Sequence, residues 1–312
     1  MKLRIGTRGS ALALWQSRHV AARLAEMSAD AEVVLVEISS DGDRVTDLPL
    51  SHVEGTGFFT AALEHALLSG EVDVAVHSYK DLPVESSAEL TVAAVPPRGP
   101  VEDVLCAREG VTLATMHAGA RVGTCSMRRT AQLRLLRDDL EIVALRGNVP
   151  TRLARVGRDL DAIVLARAGL VRLGLHRAIS ETFPVEHILP APGQGALAVQ
   201  CRISDDAVRR YLQVLDDQDT RRAVDAERTM LHALGGGCSV PVGAVATASR
   251  GIIQMTAGVF GVRSRTAVRA QVTGHDPIAL GHLAAARLRD QGATDILAEF
   301  DGAPLRTAGS HA

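Results

Sequence analysis

Short β-branched runs alternate with stretches of helical periodicity in two successive series, and Pro96-Pro97-Arg98-Gly99-Pro100 separates them as a segment that no regular element can contain. Alternation of this kind is satisfied by βαβ units around a largely parallel sheet, so two α/β units joined by a hinge are predicted. In the first series, strands are expected at residues 3–6, 32–38, 72–76 and 90–95. One helix is expected from about 10 to 27, with Ser10 as its cap and Leu14, Trp15, Val20 and Leu24 at helical spacing, and another from 58 to 68. The second series predicts strands near 121–123, 141–145 and 161–165, with helices from Ser126 and near Thr151. Pro190-Ala191-Pro192-Gly193-Gln194-Gly195 is a second crossing, followed by a short apolar strand at 196–200 whose sheet the residues leave open. A smaller α+β unit follows: a helix from about 220 to 234, Gly235-Gly236-Gly237, strands at 252–260 and 267–273, and a helix at 278–290. The last dozen residues read as a frayed tail.

The 312 residues are enough for two or three domains with buried cores. No window reaches the ~20 apolar residues of a membrane span, and Met1-Lys2-Leu3-Arg4-Ile5-Gly6-Thr7-Arg8 lacks the pattern of a signal peptide, so a cytoplasmic protein away from membranes is expected. A net charge of -2 argues against nucleic-acid binding. Only Lys2 and Lys80 are lysines among 34 basic residues, so 34 - 2 = 32 are arginines; base composition explains the bias but not where the arginines sit. Cys106, Cys125, Cys201 and Cys238 form no CxxC pair, and the histidines lack metal-ligand spacing, so free thiols and no metal site are expected.

Several arginines fall in Gly- or Ser-containing loops at strand ends: Arg8 before Gly9-Ser10, Arg128 and Arg129 after Ser126, Arg146 before Gly147-Asn148, and Arg152. The carboxyl ends of strands form the ligand crevice of open α/β sheets, and guanidinium forks pair bidentately with carboxylates. Such loops suit a multiply anionic ligand; solvated or structural arginines are the plainer reading of any single one. The run His77-Ser78-Tyr79-Lys80-Asp81-Leu82-Pro83 places a carboxylate just past a buried strand, where it could serve as an acid/base group or cap a turn. Both readings stand on the residues alone. Cys238 follows three glycines in a loop with little apolar cover, which fits a reactive or modified thiol, whereas Cys201 ends an apolar strand and Cys106 follows Val104-Leu105, so both read as core.

Taken together, certain segments resemble the porphobilinogen deaminases, also called hydroxymethylbilane synthases. They are Gly6-Thr7-Arg8-Gly9-Ser10-Ala11-Leu12-Ala13-Leu14-Trp15-Gln16, residues 77–83, Gly123-Thr124-Cys125-Ser126-Met127-Arg128-Arg129, Leu145-Arg146-Gly147-Asn148-Val149 with Thr151-Arg152-Leu153, and residues 161–174, 190–202 and 235–243. The likeness runs in family order from residue 4 to about 245 and is looser beyond.

The resemblance implies two α/β domains like periplasmic binding proteins, at 1–96 with 196–214 and at 101–190, and a smaller α+β domain at 218–312. It implies a transferase that condenses four porphobilinogen molecules, with loss of ammonia, into linear hydroxymethylbilane. A dipyrromethane cofactor, attached by a thioether to Cys238, primes the chain. Asp81 is then the catalytic carboxylate, stabilising positive charge on the azafulvene-like electrophile and the pyrrole N–H groups. Arg8, Ser10, Ser78, Lys80, Ser126, Arg128, Arg129, Arg146, Arg152 and Arg172 are the expected binders of cofactor or substrate carboxylates. A monomer is expected, its product passing to uroporphyrinogen-III synthase. The chain departs from the family pattern at His52 and Thr56, where lysines are frequent, at Cys125 in place of serine, and at Gln200 in place of glutamate. Two rivals are a solute- or effector-binding module of the same two-domain fold and an enzyme acting on phosphate esters. The first would need neither Asp81 nor a group on Cys238, and the second would leave the cysteine loop idle.

Overall fold

The first series folds as β1 (Lys2–Thr7), α1 (Ala11–Met27), β2 (Glu32–Glu37), α2 (Phe58–Leu68), β3 (Val74–Ser78) and β4 (Leu90–Ala94). The structure, a computed structural model, describes residues 2–27, 32–38, 58–85, 87–237 and 240–299. The second series comprises β5 (Asp103–Ala107), β6 (Arg121–Gly123), α3 (Met127–Leu136), β7 (Glu141–Val143), α4 (Val149–Leu153), β8 (Ala162–Ala166), α5 (Arg167–Arg172) and β9 (Glu181–Thr182). After the second crossing come β10 (Leu197–Arg202), α6 (Asp206–Leu212) and α7 (Gln218–Ala233). The last unit is β11 (Val242–Ser249), β12 (Ile252–Phe260), β13 (Ala267–Gly274), α8 (Pro277–Asp290) and α9 (Ala293–Ala298).

Two five-stranded sheets result, ordered β2-β1-β3-β10-β4 and β7-β6-β8-β5-β9. In each, three parallel strands are followed by one antiparallel strand that has just entered through a crossing: β10 pairs antiparallel with β3, and β5 with β8. The two α/β units therefore repeat one topology, and the chain returns after the second crossing to complete the first sheet with β10. The open question of residues 196–200 is answered in favour of the first sheet. Neither β5 nor β11 was expected from the sequence. The run at 103–107 lies close after a Pro-rich stretch, and Val242–Ser249 is small-residue-rich, so neither carries a strong period of two.

The strands are apolar on both faces because helices cover both. In β3, Val74 and Val76 pack with Val20 and Leu24 of α1, while Ala75 packs with Leu63, Ala66 and Leu67 of α2. In β8, Ala162 and Val164 join the cluster of Leu133, whereas Ile163 and Leu165 join that of Leu145 and Leu170. The third sheet, ordered β11-β12-β13, is antiparallel, and Ile253, Met255 and Ala257 bury against Met230 of α7 and Leu288 of α8.

The two crossings touch backbone to backbone. Gly99 N–H donates to Gly195 O at 3.0 Å. Gly195 has φ +85°, and a Cβ there would lie 2.6 Å from Gly99 O and 2.7 Å from Pro100 O. Gly195→Ala is expected to cost about 1–3 kcal/mol, from backbone strain and forced separation of the crossings. An unchanged urea midpoint in that variant would contradict this account. Arg98, on the first crossing, pairs with the buried Glu227 of α7 at 2.7 and 2.9 Å. Glu227 also accepts from Gly193 N–H on the second crossing and Ala246 N–H of β11, each at 2.6 Å. One carboxylate thereby ties the third unit to both crossings.

Candidate active site

β1 and β3 are parallel neighbours, so the chain leaves both at the same sheet edge. After β1, Ser10 caps α1: its Oγ accepts from Ala13 N–H at 3.3 Å and its carbonyl from Leu14 N–H at 2.9 Å. Arg8 is half-buried in this loop. After β3, Ser78 Oγ accepts from Gln16 Nε2 at 2.7 Å, and a single 3-10 turn, Tyr79–Asp81, ends on an exposed Asp81. Arg228 of α7 fixes that turn, stacking 4.5 Å from the Tyr79 ring and donating to the carbonyls of Tyr79, Leu82 and Pro83. Asp81 thus stands on rigid backbone while remaining open to solvent, which suits a group that must meet a ligand. The adjacent Lys80 donates from Nζ to Gln194 Oε1 at 3.1 Å. Burial pulls the Lys80 ammonium down to about 8, against the opposing pull of the Asp81 carboxylate. Beneath Arg8, burial pushes His77 down to about 4, with the charge of Arg8 acting in the same sense, so the ring is neutral. Its Nε2 lies 3.1 Å from Gln200 Oε1, and Gln200 Nε2 donates to Glu64 at 3.0 Å, which gives the unusual glutamine at 200 its place.

The opposite wall is built from the ends of β6, β7 and β8. Thr124-Cys125-Ser126 leads into α3, where Ser126 Oγ accepts from Arg129 N–H at 3.4 Å. Arg146 is exposed beyond β7, and Asn148 caps α4. Arg152 donates from Nε to Gly147 O at 2.6 Å. Arg128 and Arg129 turn inward and grip Asp103, at 2.8 and 2.7 Å, with all three side chains buried. Burial works against a charged Asp103, but the two guanidiniums outweigh it and hold its carboxyl well below the usual carboxylate range. Arg129 also donates to Val164 O at 3.1 Å, while its buried Nε has no hydrogen-bond partner among the described residues. Arg172 donates to Gly195 O at 2.7 Å and lies 5.6 Å over the Trp15 ring, bridging α5 to α1; burial pulls its guanidinium down to about 10.

The walls meet through Lys80, which feels the charges of Asp103, Arg128 and Arg129, while Asp81 acts in turn on Arg129. Asp81, Lys80, Arg8, Ser10 and Ser78 therefore share one edge, and Arg129 approaches it from the other sheet. Arg146, Arg152 and Arg172 lie on the second wall. Cys238 and the segment bearing His52 and Thr56 lie outside the described residues. Cys125 is exposed on the second wall, whereas Cys106 and Cys201 are buried, their thiols pushed up by burial to about 12 and about 11. Asp103, Gln194 and Arg228 were missed as single residues; only the Pro/Gly setting of Gln194 gave any signal. Among the described residues no cluster could hold a metal ion and no helix is long and apolar enough to cross a membrane.

The family profile described as "Porphobilinogen deaminase, dipyromethane cofactor binding domain" matches residues 3–210, and that described as "Porphobilinogen deaminase, C-terminal domain" matches 222–290. A porphobilinogen deaminase of Xanthomonas euvesicatoria is 47% identical over 301 residues, 96% of this chain and 99% of its own. One from Brevibacillus brevis is 44% identical over 300 residues, 96% and 97% of the two chains. An ABC-transporter periplasmic substrate-binding protein from Coxiella burnetii is similar in structure at 17% identity, with TM-score 0.42, over 68% of this chain and 91% of that one.

Proposed function

The chain belongs to the porphobilinogen deaminase family, a family of transferases, and from that premise we propose that Asp81 carries its chemistry and Cys238 its cofactor. The enzyme condenses porphobilinogen units into linear hydroxymethylbilane, and its first two units form the dipyrromethane-binding domain. In each addition the aminomethyl C–N bond breaks and ammonia departs with a proton. The methylene carbon then bonds to the free α-carbon of the terminal pyrrole, which gives up its proton. After four additions, water releases the product.

The observation that carries the proposal is an exposed Asp81 on a turn clamped by Arg228, beside a half-buried Lys80 and within electrostatic reach of Arg129. A fixed carboxylate at that edge stabilises the cationic carbon as ammonia leaves, and accepts hydrogen bonds from pyrrole N–H groups. Each pyrrole carries one acetate and one propionate, so two linked pyrroles present four carboxylates. The residues present fit that group: Arg8, Lys80, Arg146, Arg152 and Arg172 supply cationic donors. Ser10, Ser78 and Ser126 supply hydroxyls, and the orphaned Nε of Arg129 offers a buried N–H. Arg128, whose Nη1 donates to both Asp103 and the Leu189 carbonyl, contributes charge behind Arg129. When bound, the dipyrromethane supplies the nucleophilic pyrrole carbon from which the chain grows. A thioether to Cys238 keeps the product attached until the chain is complete. On this reading the chain is a cytoplasmic monomer that hands its product to uroporphyrinogen-III synthase.

Intact-mass measurement of protein from porphobilinogen-making cells tests the anchor. An excess equal to two linked pyrroles is expected, absent from Cys238→Ser. The same excess in that variant would place the attachment elsewhere. If cells yield unmodified protein, incubation with porphobilinogen or bilane separates the readings, since an enzyme acquires the adduct and a binding module does not.

A further inference from the structure

One buried side chain touches both walls. Gln194 is fully buried between Gly193 and Gly195, whose φ values of +76° and +85° fold the second crossing tightly around it. Its Oε1 accepts from Lys80 Nζ at 3.1 Å. Its Nε2 donates to Val101 O at 2.7 Å and to Asp103 Oδ1 at 2.8 Å. The polarity matches throughout, with the acceptor toward an ammonium and the donors toward a carboxylate and a carbonyl. Asp103 then takes Arg128 and Arg129, so one hydrogen-bonded chain runs from the first sheet's edge, through the second crossing, to the helix of the second wall.

We propose that Gln194 is a positioning residue for chain elongation: its amide holds the Lys80 ammonium against the Asp103–Arg129 cluster and so sets the spacing of the cationic groups on the two walls. The proposal rests on Lys80 and Arg129 binding ligand carboxylates. An amide suits this position better than its alternatives. A carboxylate would meet Asp103 with like charge, and an apolar side chain would remove one hydrogen bond each from Lys80 Nζ, Asp103 Oδ1 and Val101 O. The charged groups facing Lys80 are Asp81 on its own turn, Asp103 on β5, and Arg128 and Arg129 on α3. Gln194 is the neutral group among them.

The chain's lysine content makes Lys80 directly readable. With lysine carbon-13 labelled at Cε, full-length cofactor-loaded enzyme gives two resonances, from Lys2 and Lys80, and Lys2→Arg assigns them. Gln194→Met should lower the Lys80 midpoint by about 1–2 pH units, since the ammonium loses a hydrogen-bond acceptor that favours its charged form. Gln194→Glu should raise it, because a carboxylate replaces the amide acceptor. In both variants the alkaline limb of kcat/KM should follow the Lys80 midpoint, a response that loosened packing would not give in opposite directions. Midpoints that stay at the parent value, or that move the same way in both variants, overturn the role of Gln194. Midpoints that move as stated while the kinetic limb stays fixed overturn it from beneath, by removing Lys80 from ligand binding.

Discussion

Asp81→Asn should retain the two-pyrrole mass adduct and lose about 10²–10⁴-fold in kcat for bilane formation, the range expected when a positioned acid/base or electrostatic group is removed. The substitution is nearly isosteric and the side chain is exposed, so the turn survives: it is held by the Arg228 contacts to three backbone carbonyls, none of which involves the Asp81 carboxylate. What is lost is a negative charge at the edge where positive charge develops. The effect should fall on kcat more than on KM, because the carboxylates of the substrate are bound by other groups. Stalled intermediates with one or more added pyrroles should accumulate as discrete masses. Output within a few-fold of the parent would remove Asp81 from the reaction and return it to the capping role that the residues alone left open.

How far the sequence disclosed this site depends on whether a residue acts through local chemistry or through a distant partner. The Ser10 cap, the start of a helix at Ser126, the helix at 58–68 and the core strands were legible because capping and periodicity are local rules. Arginines in strand-end loops were legible as a group, but their facing was not. Arg128 and Arg129 look alike in the sequence to Arg146, yet they are buried because Asp103, 25 and 26 residues earlier, lies on an antiparallel strand that the pattern did not reveal. Gln194 was likewise invisible as a partner of Lys80, 114 residues before it. Pairings at that separation follow from topology, here the return of β10 to the first sheet and the insertion of β5 beside β8, and from no feature within a sequence window. Gln200 shows the same limit: it read as an unexplained departure until the fold set it between His77 and Glu64.

The Asp103 cluster carries the largest expected stability effect. Asp103 has no exposed surface and receives Arg128, Arg129 and Gln194, so Asp103→Asn leaves two buried guanidiniums without their counter-charge and presents one of them with an amide N–H. Removing one partner of a buried pair costs about 3–5 kcal/mol. That loss should appear as a fall of about 10²–10⁴-fold in hydrogen-exchange protection of the β5 and β8 amides, whose pairing Asp103 opens opposite Ala166. The pH dependence follows from the sign of the shift. The folded-state carboxyl is held low by its arginines, so its contribution is complete above the ordinary unfolded value of about 3.9 and is lost as pH falls below it. The parent and Asp103→Asn should therefore differ most at pH 7 and by less at about pH 3, the gap closing only as pH falls through the depressed folded-state value. A difference in protection that is the same at both pH values would mean that Asp103 acts through packing, and that the paired charges behind Arg129 do not hold the second wall in place.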